Sequence, residues 1–253
     1  MNTVKVRDVE IGAGLPKICV SVIEKRTKEI IRSAINIKEL GADIIEWRAD
    51  WFQDIFDKGE MLHTLERLRG TLGNAPLLFT FRTGKEGGAR TIDPEMYVRI
   101  NLRAIKSGYI DMVDVELFTG DDEIGRMVNV AREYGVKVVM SNHDFQKTPP
   151  QEEIVARLLK MERVGADISK IAVMPNNKKD VLTLLAATEE MATNYADRPI
   201  VTMSMSGTGV LSRLCGEVFG SAITFGAAGK ASAPGQMEVG DLKAALELIH
   251  KGL

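Results

Sequence analysis

Cysteine is almost missing from this chain: Cys19 and Cys215 are the only two in 253 residues. Two thiols can build neither a disulfide framework nor a four-ligand metal site. Cys19 sits in an apolar, strand-like run, where a small core residue is expected rather than a reactive thiol. Long apolar runs are missing too. No stretch approaches the roughly 18 residues of a membrane-spanning helix, so no membrane partner is expected. The opening MNTVKVRDVEIGAG carries charges throughout and lacks the apolar centre of a secretion signal, so a cytoplasmic location is the expectation. There is no basic excess: 33 Lys and Arg stand against 35 Asp and Glu, which argues against a nucleic-acid partner. The charge runs Lys178–Lys179 and Asp121–Asp122–Glu123 fall where helices should begin and read as solvated helix starts. Three histidines and scattered acids offer no metal-ligand spacing. No strand is followed by the G-x-G-x-x-G turn of a dinucleotide-binding sheet. Neither metal nor cofactor is expected.

What the chain does have is a steady alternation of short strand patterns and longer helical ones. Strands are expected over 17–23, 44–50, 76–83, 112–117, 137–144, 168–174, 199–205 and 222–228, each followed by a helix. Helices should end at Gly41, Gly135 and Gly165, and one should open at Asp93–Pro94, a cap with proline in the first turn. A short helix is expected near 211–219 and a last one over 239–250. Eight β-α units in unbroken order predict an α/β fold, a closed parallel (β/α)₈ barrel. An open doubly wound sheet is the alternative. Residues 1–16 precede the first barrel strand, and VKVRDVEIG alternates like a β-hairpin that covers the barrel's N-terminal mouth. With no linker in sight, residues 1–253 are read as one domain.

Successive strand side chains face opposite ways, so apolar residues that suit the helix layer identify what points inward. Ile45 and Trp47 face helices and leave Glu46 and Arg48 inside; Phe79 and Phe81 leave Thr80 and Arg82. Val113 and Val115 leave Asp114 and Glu116; Ile171 and Val173 leave Lys170. Ser21, Met203, Met205 and Phe225 are also placed inside, and Val139, Ser141 and His143 form one set. A barrel interior is normally branched and apolar. Buried charge is costly unless it is paired or meets a ligand. For Asp114 and Glu116 a structural ion-pair network competes with a substrate role. Glu46, Arg48 and Arg82, near the C-terminal strand ends, favour a pocket for a polar substrate.

A lysine inside a β-run cannot be explained as a solvated surface group. For Lys170, desolvation and neighbouring cations are expected to favour the neutral amine, which attacks a carbonyl to form an imine. His63 lies in an amphipathic helix and His250 near the end of the chain, whereas His143 ends the strand beside Lys170. It is the general acid–base group this pattern offers. Three loops add to the site. RTGKEGGART (82–91) brings Glu86, placed to orient a histidine; MSGTGVLSR (205–213) brings Arg213, a fork for a carboxylate; GKASAPGQ (229–236) is small, polar and lid-like, with Ser232 and Gln236.

Asp114-Val115-Glu116-Leu117, followed after twenty residues by Val138-Val139-Met140-Ser141-Asn142-His143-Asp144, resembles the signature of type I 3-dehydroquinate dehydratases. Around it EWRAD (46–50), FRTGKEGG (81–88), SKIAVMP (169–175), MSGTGVLSR (205–213) and ASAPGQ (231–236) look like that family's active-site segments in the right order. The resemblance spans 15–250. It implies dehydration of 3-dehydroquinate to 3-dehydroshikimate in the shikimate pathway, without metal or cofactor, by an enzyme that is usually a homodimer. Carried over, Lys170 forms the imine, and His143 removes the proton and later protonates the departing hydroxyl in a syn elimination. Glu86 orients His143; Arg213 and Gln236 hold the carboxylate, with Ser232 contributing. Glu46, Arg48 and Arg82 hold ring hydroxyls, while Ser21, Met203, Met205, Phe225 and Ala233 shape the pocket. Two other readings remain at this point: a Schiff-base aldolase acting on a sugar phosphate, and a non-catalytic barrel that binds small acids.

Overall fold

The structure, a computed structural model, describes residues 2–253. A short hairpin comes first, β1 (Val4–Val6) against β2 (Val9–Ile11). Eight parallel strands follow: β3 (Lys17–Val22), β4 (Ile44–Arg48), β5 (Leu77–Thr80), β6 (Met112–Glu116), β7 (Lys137–Asp144), β8 (Ile168–Val173), β9 (Ile200–Ser204) and β10 (Ile223–Gly226). Between them run α1 (Thr27–Glu39), α2 (Lys58–Leu72), α3 (Pro94–Ile105), α4 (Asp121–Glu133), α5 (Gln151–Arg163) and α6 (Lys178–Asn194). After β9 come α7 (Val210–Leu214) and α8 (Gly216–Phe219), and α9 (Val239–His250) follows β10. The strands pair in chain order and β10 pairs back onto β3. The seam between β9 and β10 is bridged at Ile200–Ser221, where Ala222 N–H donates to Ile200 O at 2.8 Å. This is the (β/α)₈ barrel the alternation predicts.

Local chemistry sets the boundaries. Asp93 caps α3 by accepting from Met96 N–H at 2.9 Å, with Pro94 in the first turn. Gly165, at φ 105°, turns the chain out of α5, a conformation a side chain would resist. The strand expected to run to 83 stops at Thr80 because side chains claim its next amides: Arg82 N–H donates to Asp50 Oδ1 at 3.3 Å and Thr83 N–H to Glu116 Oε1 at 2.8 Å. β10 likewise ends early, as Ala227 N–H turns to Met237 O at 2.7 Å. The single helix expected near 211–219 is two, parted at Cys215. At the bottom, an aspartate one residue ahead of a strand captures the amide of the strand before it. Asp43 takes Ile18 N–H at 2.7 Å, Asp111 takes Leu77 N–H at 2.8 Å, and Asp167 takes Val138 N–H at 2.9 Å.

Two apolar layers form. Between strands and helices, Trp47, Phe79, Phe81, Ile171 and Val173 pack against Ile30, Leu65, Tyr97 and Leu184. Inside the barrel a smaller cluster holds Cys19, Ile44, Leu78, Met112, Val139 and Ile168, closed from below by Val4, Val6 and Ile11 of the hairpin. Burial of each hairpin side chain contributes about 1.5–3 kcal/mol. The plug leaves charged side chains only the upper half of the barrel.

Candidate active site

Lys170 rises from the middle of β8, in register with Ser141 on β7 and Val201 on β9, and is 4% exposed. Its Nζ lies 3.6 Å from Asp114 Oδ2, 4.0 Å from Glu46 Oε1 and 4.2 Å from the centre of the Phe225 ring. The cationic neighbours expected from the sequence are not what touches the amine. Carboxylates and an aromatic face do, and Arg82 reaches it only through Asp114.

His143, near the end of β7, is clasped by Glu86. The carboxylate oxygen Oε2 accepts from His143 N–H at 2.9 Å and lies 2.9 Å from Nδ1. Asn142 Nδ2 donates to the other oxygen at 3.2 Å, and Arg157 donates to Asn142 Oδ1 at 2.7 Å. Glu86 reaches this place because Gly87 and Gly88 let the loop turn back beneath itself: a Cβ on Gly88 would stand 1.9 Å from Arg82 O. Phe145 lies nearly parallel to the imidazole, centroids 6.5 Å apart, with its ring edge against Gly87. Burial pushes Glu86 up to about 8, against the pull of Arg82 and with the repulsion of Glu116. Burial, then Arg82, Lys170 and Arg48, push His143 well below its ordinary value. Burial thus favours the uncharged form of each partner.

The wall formed by β4 to β7 is an ion-pair lattice. Arg82 donates to Glu116 Oε1 at 2.9 Å, to Ser141 Oγ at 3.0 Å and to Glu86 Oε2 at 3.4 Å, and its other arm meets Asp114 Oδ1 at 2.7 Å. Burial works against this guanidinium, yet Asp114, Glu116 and Glu86 outweigh it and hold Arg82 well above its ordinary range. Burial also opposes ionised Asp114, but Arg82 and Lys170 prevail and keep its carboxyl low. Of the two alternatives for Asp114 and Glu116, the structure bears out the ion-pair network: both pair with Arg82, Asp114 also faces the amine, and neither lines the cavity. Arg48 is held by Asp50 in a two-pronged pair at 2.8 and 2.9 Å. Glu46 accepts from Thr80 Oγ at 2.8 Å and from Ser21 Oγ.

The opposite wall is different. Arg213, on α7, is 2% exposed and meets no carboxylate among the described residues. One arm donates to Pro234 O at 3.0 Å, another lies 3.9 Å from Met203 Sδ, and Nε has no partner. Burial alone lowers its pKa to about 10. Over it folds the 229–236 loop. Ser232 Oγ donates to Ser21 Oγ at 3.0 Å, and Gln236 Oε1 accepts from Ser232 N–H at 2.7 Å. A buried guanidinium left without an anion is electrostatically unfavourable.

Of the expected site residues, Glu46, Arg48, Arg82, Glu86, His143 and Lys170 line one cavity at the C-terminal mouth. Met203, Met205, Phe225, Ser232, Ala233 and Gln236 line it too. Ser21 lies beneath, bonded to Glu46 and Ser232, and Arg213 lies behind Pro234. The cavity is small, about 50 Å³. A groove of about 790 Å³ between α2 and α3 contains none of these residues, so size does not locate the chemistry. Sequence reasoning missed Asp50, Asn142 and Phe145. Asp50 closes the quoted EWRAD segment, but its task, holding Arg48 and the amides of Arg82 and Ala89, appears only in three dimensions.

Comparison with known proteins agrees with this geometry. A family model described as type I 3-dehydroquinase matches residues 18–252. The chain is 54% identical to the 3-dehydroquinate dehydratase of Salmonella agona (strain SL483) over 251 residues, 99% of this chain and 100% of that one. It is 53% identical to that of Clostridioides difficile (strain 630) over 250 residues, 99% and 98% of the two chains. A crystal structure of the type I enzyme from Clostridium difficile with covalently modified comenic acid superposes with a TM-score of 0.97 at 52% identity, covering 100% of this chain and 99% of that one.

Proposed function

Because the chain belongs to the type I 3-dehydroquinase family, we propose that it converts 3-dehydroquinate to 3-dehydroshikimate through an imine on Lys170. The observation that carries this reading is a buried lysine sharing one cavity with a histidine whose Nδ1 is held by a carboxylate. Lys170 Nζ adds to the ring ketone, and loss of water leaves an iminium, which acidifies the neighbouring C–H. His143 Nε2 takes that proton when its own proton is on Nδ1, facing Glu86. The electron pair forms the enamine, which expels the β-hydroxyl as His143 returns the proton, giving water and a conjugated iminium. Hydrolysis frees the product and the amine.

The walls divide the remaining work. Arg213 offers its unpaired fork to the carboxylate, with Gln236 and Ser232 closing over it. Arg48, Arg82 and Glu46 present edges to ring hydroxyls from positions their partners already hold. Met203, Met205, Phe225 and Ala233 shape the rest. The C. difficile structure with covalently modified comenic acid is in keeping with covalent chemistry. We extend the reading to a place in the shikimate pathway to aromatic amino acids, and to a single-domain, cytoplasmic homodimer, as is usual in the family. No helix among the described residues is long and apolar enough to cross a membrane.

Borohydride reduction in the presence of 3-dehydroquinate tests the mechanism. The ligand's mass should appear on the peptide that contains Lys170, and Lys170→Ala should abolish turnover. Recovery of the adduct on a different lysine would sink the assignment. His143→Ala should still form the adduct while product formation, followed by the ultraviolet absorbance of the enone, falls away.

A further inference from the structure

We propose that Asp114 is a positioning residue for the reacting nitrogen, its Oδ2 serving as fixed counter-ion to Lys170 both as the resting ammonium and as the iminium. The proposal rests on the imine reading above. Asp114 lies inside the barrel on β6 and is fully buried. Its two oxygens are treated differently. Oδ1 is clamped by Arg82 and by Ser141 Oγ, each at 2.7 Å. Oδ2 has no hydrogen-bond partner and faces Lys170 Nζ at 3.6 Å. A buried carboxylate oxygen without a donor is unfavourable unless a charge stands opposite it. Because the clamp on Oδ1 fixes the carboxyl plane, Oδ2 cannot turn away to find another donor. Glu46 is the weaker partner: it lies at 4.0 Å, and both its oxygens already accept from hydroxyls.

The reaction changes the charge on this nitrogen. It is positive as ammonium and as either iminium, and neutral as carbinolamine and enamine. A fixed, desolvated anion at its side favours the positive forms over the neutral ones. The enamine arises when His143 takes the ring proton and the C–H pair delocalises onto nitrogen. It leaves Oδ2 without its counter-charge until the pair returns. That return either restores the C–H bond or breaks the C–O bond, and both routes regenerate C=N⁺. Asp114 therefore shortens the life of the enamine and with it the time in which the abstracted proton can exchange with solvent.

Asp114→Asn keeps an oxygen for Arg82 and Ser141 and removes the charge. In deuterated water, borohydride should still trap the ligand on Lys170 of the variant. The ratio of deuterium entering recovered substrate to product formed should rise at least about tenfold over wild type. A fall in turnover with that ratio unchanged would mean a purely structural role and overturn the proposal. Absence of the Lys170 adduct from the wild-type protein as well would instead remove the imine reading. Should the variant not fold, wild-type enzyme carrying ¹⁵N-labelled lysine decides. With saturating 3-dehydroshikimate at about pH 8, the imine nitrogen, surrounded by Asp114, Glu46, His143 and the more distant Arg82, should resonate as a protonated imine. A neutral imine there overturns the proposal.

Discussion

Arg82 and Arg213 are buried to the same degree at the two sides of one barrel mouth, yet they live in opposite electrostatic settings. Arg82 meets Asp114, Glu116 and Glu86 and is held in its charged form more firmly than in water. Arg213 meets a carbonyl and a thioether, and its charge is weakened by burial. The β4–β7 side has its charges neutralised within the protein and needs no ligand to balance them. The β9–β10 side leaves a cation without an acidic partner among the described residues. Under the proposed function the missing half of that ion pair arrives with the substrate's carboxylate, so that one wall orders and the other binds.

Removing each charge should show this contrast most sharply. Arg82→Met strands Asp114 and Glu116 in the interior and should lower folding stability by about 3–5 kcal/mol, read from urea unfolding. Arg213→Met removes an unpaired buried cation and should leave stability unchanged or raised in the same assay. Equal losses in the two variants would erase the distinction. Next in size is the proton on the ordered wall. Above about pH 8 Glu86 is a carboxylate that keeps the imidazole proton on Nδ1 and frees Nε2, whereas below it Glu86 carries the proton. The kcat profile should therefore rise through that region, as an ionisation of the pair. Glu86→Gln should remove the limb and lower kcat by about a hundredfold; a profile identical to wild type would mean the proton sits elsewhere. Smallest is the ligand's share at the waiting wall. For Arg213→Met a loss of about 2 kcal/mol, roughly thirtyfold, should appear mainly in KM. A loss confined to kcat would contradict a carboxylate-holding role.

Much of this was legible in the alternation of residues along single strands. Ile171 and Val173 belong against helices, so Lys170 must point inward, and the same parity places Glu46, Arg82, Asp114 and Glu116. Parity is a property of one strand and says nothing about partners. Hence the neighbours of Lys170, expected to include cations, are carboxylates, because β6, two strands away, and β4, across the barrel, bring Asp114 and Glu46 to it. Asp50 escaped although the strand expected over 44–50 includes it: the strand ends at Arg48, and in the turn that follows the carboxylate acts on a loop more than thirty residues away. Asn142 escaped for a different reason: it alternates with the set of Val139, Ser141 and His143, yet its side chain reaches Glu86. The motif match carried function further than parity, since no periodicity distinguishes a dehydration from an aldol cleavage.

The seam between β9 and β10 gives the mouth a mechanical asymmetry. Every other junction of the barrel is a ladder of paired residues, whereas this one is held at Ile200–Ser221 alone among the described bridges. Arg213 and the 229–236 loop hang from the two strands that flank it. Thermal breathing should therefore concentrate where the ligand's charge is received and spare the β6–β8 panel that carries the reacting groups. The barrel behaves like a jar with its hinge built into the rim: the side that would receive the ligand under the proposed function is the side least stitched to its neighbour.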